Sequence, residues 1–214
     1  MPVMHRLITV EPTPEASDRC RKLGNTVGSL TEEQRSIVVG SLLGDGSMRC
    51  KTNALLEINH SHHQRRYVDW KYSRLIDLVS TPPKARLGNG RRIAYRFVTR
   101  SLPELTPFHR LFYEDGRKRV PELELAPLVL AIWFMDDGCR SRSAVYLNTQ
   151  QFDWDSQERL IAMLRDQWGI GASLNRDKSY RRIRVSTVGS SRLAGIVGPH
   201  LRPELRYKLP QVTP

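Results

Sequence analysis

The sequence predicts an α+β protein made of two like αββαββα units. Three observations carry this. Two apolar helical segments each end in an Asp-Gly step, at Asp45-Gly46 and at Asp137-Gly138, with an arginine just beyond. After each step the same order of strand and helix periodicity returns. The chain of 214 residues is long enough for two small units. Repetition of a unit implies a pseudo-two-fold molecule.

Residues 1–30 are rich in Pro, Thr, Ser and charge without a sustained period, and read as an N-terminal arm. The first half is expected over 31–115. Thr31 can cap a helix and Gln34, three residues on, completes a capping box. The apolar run from Ile37 to Gly44 follows. Lys51 to Asn59 reads as a strand. His62 to Val79 reads as a helix with Val68, Tyr72, Leu75, Ile76 and Val79 on one face, stopped by Thr81-Pro82-Pro83. Arg91 to Arg100 alternates, with Ile93, Tyr95 and Phe97 against Arg92, Ala94, Arg96 and Val98, so one strand face is apolar and the other mostly basic. Phe108 to Tyr113 fits a short helix ended by Glu114-Asp115-Gly116.

Residues 116–125 read as a linker, and 126–210 as the second half. Ala126 to Met135 is an apolar helix and Ala144 to Thr149 a strand. Asp155 to Trp168 is an amphipathic helix with Leu160, Ile161, Met163, Leu164 and Trp168 on one face. Asn175 to Lys178 reads as the turn of a hairpin with Arg182 to Ser186 returning. A last helix covers roughly Ser190 to Val197. Trp70, Trp154 and Trp168 read as packing residues.

Composition narrows the function. The formal charge is +12, from 34 basic and 22 acidic residues, and arginine outnumbers lysine 27 to 7. That excess points to a polyanionic partner, and the planar guanidinium suits phosphates and guanine edges. A near two-fold molecule matches the near two-fold symmetry of a DNA duplex. No apolar run approaches the roughly 18 to 20 residues that span a bilayer, and no basic amphipathic helix stands out, so no membrane partner is expected. The N-terminus lacks the apolar core of a secretory signal, and an intracellular location is the expectation, in bacterial cytoplasm or an organelle matrix. Cys20, Cys50 and Cys139 are too scattered for a disulfide framework or a zinc site. His60-Ser61-His62-His63 has no zinc spacing and reads as a strand-to-helix loop near the nucleic acid.

The two helix ends resemble the motif of the LAGLIDADG homing endonucleases. The first copy is Val38-Val39-Gly40-Ser41-Leu42-Leu43-Gly44-Asp45-Gly46. The second, Leu130-Ala131-Ile132-Trp133-Phe134-Met135-Asp136-Asp137-Gly138, is the more specific, and is similar to the single-chain, intron-encoded members. Val145 to Gln150 and Tyr207-Lys208-Leu209-Pro210 are similar to two further segments of that subgroup. The resemblance covers roughly residues 31–210. It implies motif helices packed at the interface of the two halves, with antiparallel sheets forming a DNA-binding saddle. It also implies a monomer that makes a double-strand break in a long DNA site, leaving short 3′ overhangs.

The physical logic stands beside the resemblance. Gly40 and Gly44, four apart, lie on one helix face and let a partner helix approach. Packing then brings Asp45 and Asp137 together, and two adjacent carboxylates repel unless protonated or bridged by cations. Hard oxygens of Asp45 and Asp137, with backbone carbonyls at Gly44 and Asp136, suit Mg²⁺, for which Mn²⁺ is expected to substitute. The resemblance adds Lys118 and Lys208 as catalytic lysines, one per half, beside the catalytic acids Asp45 and Asp137. Candidates for DNA contact on the sheets are Arg49, Lys51, Asn53, Arg92, Arg96 and Arg100, then Arg140, Arg142, Asn148, Gln150, Arg182 and Arg184. Two other functions fit the same fold: an intron maturase that binds RNA, and a catalytically inactive DNA-binding regulator.

Overall fold

The computed structural model of the protein describes residues 30–88, 92–142, 144–177 and 179–210. Apart from Leu30, the expected N-terminal arm lies outside them. In chain order the elements are α1 (Glu32–Leu43), β1 (Ser47–Cys50), β2 (Ala54–Ser61), α2 (Arg65–Arg74), β3 (Lys84–Leu87), β4 (Ile93–Val98), α3 (Thr106–Phe112), β5 (Tyr113–Glu114) and β6 (Arg117–Lys118). The second series is α4 (Pro127–Asp137), β7 (Gly138–Ser141), β8 (Ala144–Leu147), α5 (Trp154–Trp168), β9 (Ala172–Asp177), β10 (Tyr180–Val185) and α6 (Thr187–Val197). The two large sheets have matching strand orders, β1-β2-β4-β3 and β7-β8-β10-β9, and every pairing is antiparallel. The two αββαββα units therefore exist as expected.

Local chemistry explains the starts and stops. Thr31 Oγ1 accepts from the Gln34 amide at 3.1 Å, and the Gln34 side chain accepts from the Thr31 amide at 3.0 Å, which closes the capping box. Asp153 and Ser186 cap α5 and α6 by accepting from the Ser156 and Gly189 amides. Gly169, with φ of 61°, ends α5 in the left-handed conformation that glycine adopts without strain.

α1 and α4 pack side by side at the centre. α4 is buried from Val129 to Asp137 without a solvent face, so it is apolar all round. The close approach depends on Gly40. A Cβ there would stand 2.7 Å from Ile132 Cβ and 2.8 Å from the Val129 carbonyl oxygen. Ile132 thus fills the gap that Gly40 leaves.

Several boundaries differ from the sequence reading. Gly46 leads directly into β1, so residues 51–53 form a turn and the second strand starts at Ala54 rather than Lys51. The helix expected over 62–79 is regular only from Arg65 to Arg74; the chain tightens into 3₁₀ turns on either side. Its buried stripe is Tyr67, Val68 and Lys71, continued by Leu75 and Leu78. β3 has no alternation to read, because all four residues are exposed on an edge strand. Asp115 and Gly116, with φ of 49° and 74°, do not simply end a helix. They are the two-residue turn of hairpin β5–β6. β6 thus lies within the stretch read as a linker. β9 runs on to Asp177, so the second hairpin turns later than expected. α4 runs to Asp137, β10 begins at Tyr180 and α6 at Thr187, each beyond the span read from sequence. Trp154 is half exposed with the Arg181 guanidinium over its ring at 4.2 Å, so it is not a core residue.

Gly40→Ala should destabilise the fold by about 1–3 kcal/mol through overpacking, lowering Tm by several degrees. Gly195→Ala in α6, where a Cβ would meet nothing within 4 Å, should instead raise stability by up to about 1 kcal/mol. Thermal denaturation of the two variants side by side tests the close helix approach; equal shifts would contradict it.

Candidate active site and nucleic-acid interface

The ends of α1 and α4 place three carboxylates together. α1 ends at Leu43 because Gly44 turns away, its amide donating back to Gly40 and Ser41. α4 runs to Asp137 before Gly138 enters β7. Asp45 follows its helix and is about half exposed, whereas Asp136 and Asp137 are buried. The Asp45 amide donates to Asp136 Oδ2 at 3.3 Å, a direct bond between the halves.

Lysines surround these acids. Lys118 Nζ donates to the Gly44 and Gly46 carbonyls at 2.9 and 2.8 Å. Lys208 Nζ, at the far end of the second half, donates to the Met135 and Asp136 carbonyls. Each lysine therefore holds the carbonyl end of one motif helix, where the helix dipole is negative. The two expected lysines occupy corresponding places, one per half. Gln151 Nε2 also reaches the Gly44 carbonyl at 3.0 Å and Asp137 Oδ2 at 3.5 Å.

Four residues here escaped the sequence reading: His60, Tyr67, Lys71 and Gln151. His60 is not in an exposed loop. It closes the buried row of β2, with Nδ1 3.3 Å from Asp45 Oδ2 and Nε2 3.7 Å from Asp136 Oδ1. Lys71 is fully buried and donates to both oxygens of Asp136, at 2.9 and 3.0 Å. The Tyr67 hydroxyl adds a third bond to Asp136 at 2.8 Å. The available signal is a lysine inside an apolar helical stripe, four residues after Tyr67 and three after Val68.

The electrostatics follow from this crowding. Burial, with the nearby charges of Asp45 and Asp136, pushes the Asp137 carboxyl up to about 8. Burial pulls the Lys118 ammonium down to about 8 against the attraction of the three acids. Burial lowers Lys208 in the same way. Partial burial raises Asp45, but contact with His60 and the charges of Lys71 and Lys208 outweigh it, and the group ends below the usual carboxylate range.

The donor set suits a hard divalent cation. It offers the carboxylates of Asp45 and Asp137 and the carbonyls of Gly44 and Asp136, all oxygen. No cluster of three His, Cys, Asp or Glu side chains poised for a metal exists among the described residues. An ion there would keep several waters, as Mg²⁺ does. The Asp136 carboxylate is engaged by Lys71, Tyr67 and the Asp45 amide, and an ion would share the Asp136 carbonyl with Lys208 and the Gly44 carbonyl with Lys118 and Gln151.

Each sheet packs its helices on one face and opens the other. In the first, β2 buries Ala54, Leu56, Ile58 and His60 and turns Leu55, Glu57, Asn59 and Ser61 outward. Arg49 and Arg96 lie on this open face, and both reach Glu57, at 3.3 and 2.8 Å. Asn59 stands opposite Arg96 in register. Lys51 and Asn53 occupy the β1–β2 turn, and Arg92 is exposed before β4. Arg100 departs from the row, because its guanidinium donates to the Asp77 carbonyl at 2.7 Å. In the second sheet Arg182 lies over Tyr146 at 4.3 Å and donates to Asn148 at 3.4 Å. Arg184 faces Tyr146 in register on the same side. Arg140 stands opposite Val145, whose side chain is buried, and so falls on the other face of its strand. Arg142 takes a φ of 54° in the β7–β8 turn and Gln150 lies in the turn after β8. Glu57 and Tyr146 are surface groups that a search for basic and amide residues passes over.

The raised Asp137 group couples to stability. Between its unfolded value of 3.8 and about 8, the folded chain holds a proton that the unfolded chain has released. Stability without metal should therefore fall as pH rises through that window. Lys118 acts in the opposite sense from about 8 to 10.5, where the folded chain has lost a proton that the unfolded chain keeps. Urea midpoints across pH 5 to 8 should decline for the parent and decline less for Asp137→Asn. A parallel decline would mean that Asp137 is not the titrating group.

Comparison with known proteins agrees with this architecture. The model of the LAGLIDADG DNA endonuclease family matches residues 35–193. Among solved structures, the homing endonuclease I-WcaI bound to its DNA recognition sequence superposes with a TM-score of 0.78 at 23% identity, covering 96% of this chain and 97% of that one. The homing endonuclease I-DmoI in complex with DNA and Ca gives 0.53 at 14% identity, over 82% of this chain and 96% of that one. The RecA protein of Mycobacterium gastri is 32% identical over 205 residues, covering 84% of this chain and 48% of that protein. The chain spans about half the length of the RecA relatives it matches. The cytochrome b mRNA maturase bI2 of Debaryomyces hansenii is 27% identical over 197 residues, covering 84% of this chain and 74% of that protein. No helix among the described residues is long and apolar enough to cross a membrane. The fold is that of the LAGLIDADG homing endonucleases, and the chain belongs to the LAGLIDADG DNA endonuclease family.

Proposed function

We propose that this chain is a monomeric homing endonuclease of a mobile intron, cutting both strands of a long duplex DNA target and leaving short 3′ overhangs. One observation carries the reading: Asp45 and Asp137 meet at paired helix ends, between two sheets whose open faces carry arginine. A structural neighbour of the same fold, at TM-score 0.78, is bound to its DNA recognition sequence, which supports DNA as the partner. The open faces would lie along the major groove, and the two acids would face the minor groove between them.

Asp45 and Asp137, with the carbonyls of Gly44 and Asp136, would hold Mg²⁺ or Mn²⁺. Neighbouring structures that include Mn or Ca favour a divalent ion. When bound, the ion supplies Lewis-acid charge to the attacking water and to the departing oxygen. The chain's own groups do the rest. Asp137 gives up the proton that burial now holds on it. Lys118 and Lys208, each fixed against one helix end, stand ready to stabilise the charge that develops at one scissile phosphate. Gln151 orients Asp137. The arginines of the open faces fix the duplex in register through phosphates and base edges.

A second reading, RNA binding in intron splicing, is favoured by the likeness to the bI2 maturases of Debaryomyces hansenii and Saccharomyces cerevisiae. Competition by intron RNA against a DNA target tests it. RNA that displaces DNA points to a shared surface; a ternary complex points to a separate one.

In EDTA the protein should bind its site and not cut. Mg²⁺ or Mn²⁺ should restore cutting, and full cleavage in EDTA would sink the metal mechanism. Asp45→Asn or Asp137→Asn should abolish double-strand cleavage while binding persists. Lys118→Ala or Lys208→Ala should slow one strand by about 10²-fold and let a nicked plasmid accumulate, with opposite strands nicked by the two variants. Affinity should fall with salt at a log–log slope of magnitude above about 5. A nearly flat slope would mean that the basic faces do not carry the duplex.

A further inference from the structure

The two motif segments share the closing Asp-Gly and differ at the other paired positions, one of which lies where the helix ends meet. Where the first motif has Gly44, just beyond α1, the second has Asp136, within α4, and the carboxylate of the second fills the space left open by the first. A Cβ on Gly44 would stand 2.7 Å from Asp136 Oδ2. That carboxylate belongs by sequence to the second half, yet its hydrogen-bond partners all come from the first: Lys71 Nζ, the Tyr67 hydroxyl and the Asp45 amide. Lys71 is fully buried, and its ammonium also lies 4.6 Å from the Tyr67 ring centre. A buried ion pair of this kind gives little net stability over an apolar pair of similar volume. Its presence calls for another role.

We propose that Asp136 is a positioning residue for Asp45: held by Lys71 and Tyr67, its carboxylate fixes the Asp45 backbone amide and so aims the Asp45 side chain at the site shared with Asp137. The same grip keeps the Asp136 carboxylate away from the cation, leaving a site of two carboxylates instead of three. Bonds from α2 of the first half thus reach through the second motif to set the first. The inference rests on the proposed divalent-ion site, but its first measurement does not.

The test uses two double variants of the full chain. Asp136→Leu/Lys71→Met replaces the pair by apolar groups of similar size and removes the acceptor facing Asp45. Asp136→Asn/Lys71→Met removes both charges and keeps an acceptor. Both remove the charged pair together, which avoids an unpaired buried ion. The readouts are hydrogen exchange at the Asp45 amide without metal, the Ca²⁺ midpoint by titration, and Tm. The Leu/Met variant should speed Asp45 exchange about 5- to 10-fold, the worth of one lost hydrogen bond, and weaken Ca²⁺ binding at a Tm near that of the parent. The Asn/Met variant should restore slow exchange and the Ca²⁺ midpoint. Tyr67→Phe, which removes a single hydroxyl, should move both readouts the same way by less, and it decides the matter if the double variants do not fold. Parental exchange in the Leu/Met variant, or equal effects of the two double variants that track Tm, would overturn the positioning role. Absence of Ca²⁺ binding by the parent would instead overturn the divalent-ion site, while the exchange measurement would still decide what Asp136 does.

Discussion

The close approach of α1 and α4 is the constraint on which the rest depends. Gly40 and Gly44 let the helices come together where larger side chains would hold them apart. Because both helices end at the same level, their carbonyl ends and three carboxylates fall in one place. Helix dipoles and carboxylates there have the same sign. Without positive charge this arrangement would drive the halves apart, so the packing that builds the interface also dictates a requirement for cations.

The protein meets that requirement with lysine. It has seven lysines against 27 arginines, yet three of the seven, Lys71, Lys118 and Lys208, converge on the helix ends. An arginine fork is planar and keeps its charge, which suits phosphate and base edges. A lysine is a compact charge on a flexible stem that can enter a narrow buried space and release a proton when burial demands it. The lowered Lys118 group is that behaviour in this chain. Three lysines thus serve the centre, while Arg49, Arg96, Arg182 and Arg184 occupy the open faces of the sheets.

Much of this is legible in the sequence, and what escapes it has physical causes. The capping box at Thr31 and Gln34, the Asp-Gly helix ends and the repeated element order are local signals. With the family resemblance, they point to Asp45, Asp137, Lys118 and Lys208. His60 and Lys71 give weaker signals. Their importance comes from contacts across 15 to 76 positions of chain, such as Lys71 to Asp136, which no periodicity encodes. Periodicity alone sets the α2 stripe one position out of phase, which puts Tyr72 on the buried face in place of Tyr67 and Lys71. Chemistry alone puts Arg140 among the DNA contacts; the register with Val145 puts it on the other side of its strand. Strand β3 escapes because an exposed edge strand has no apolar face to alternate.

The two sheets share a strand order but not a surface, and under the proposed reading that difference has a consequence. The first presents Glu57 between Arg49 and Arg96, an acid that neutralises two arginines where phosphate contact would want them free. Such a placement is costly for general affinity to a polyanion. It becomes useful if the face reads bases, because a carboxylate can accept from a cytosine amino group and repels misplaced phosphate. The second sheet presents Arg182 over Tyr146 with Asn148 beside it. A homodimer would be bound to offer identical faces to both half-sites. Joining the halves in one chain frees each sheet to carry its own set, while the helix pair beneath keeps its near two-fold geometry. Under that reading the target would be two unlike half-sites about a central cut, the unlike sheets reading the two sides while the Asp136 carboxylate ties the helix ends together from one half to the other.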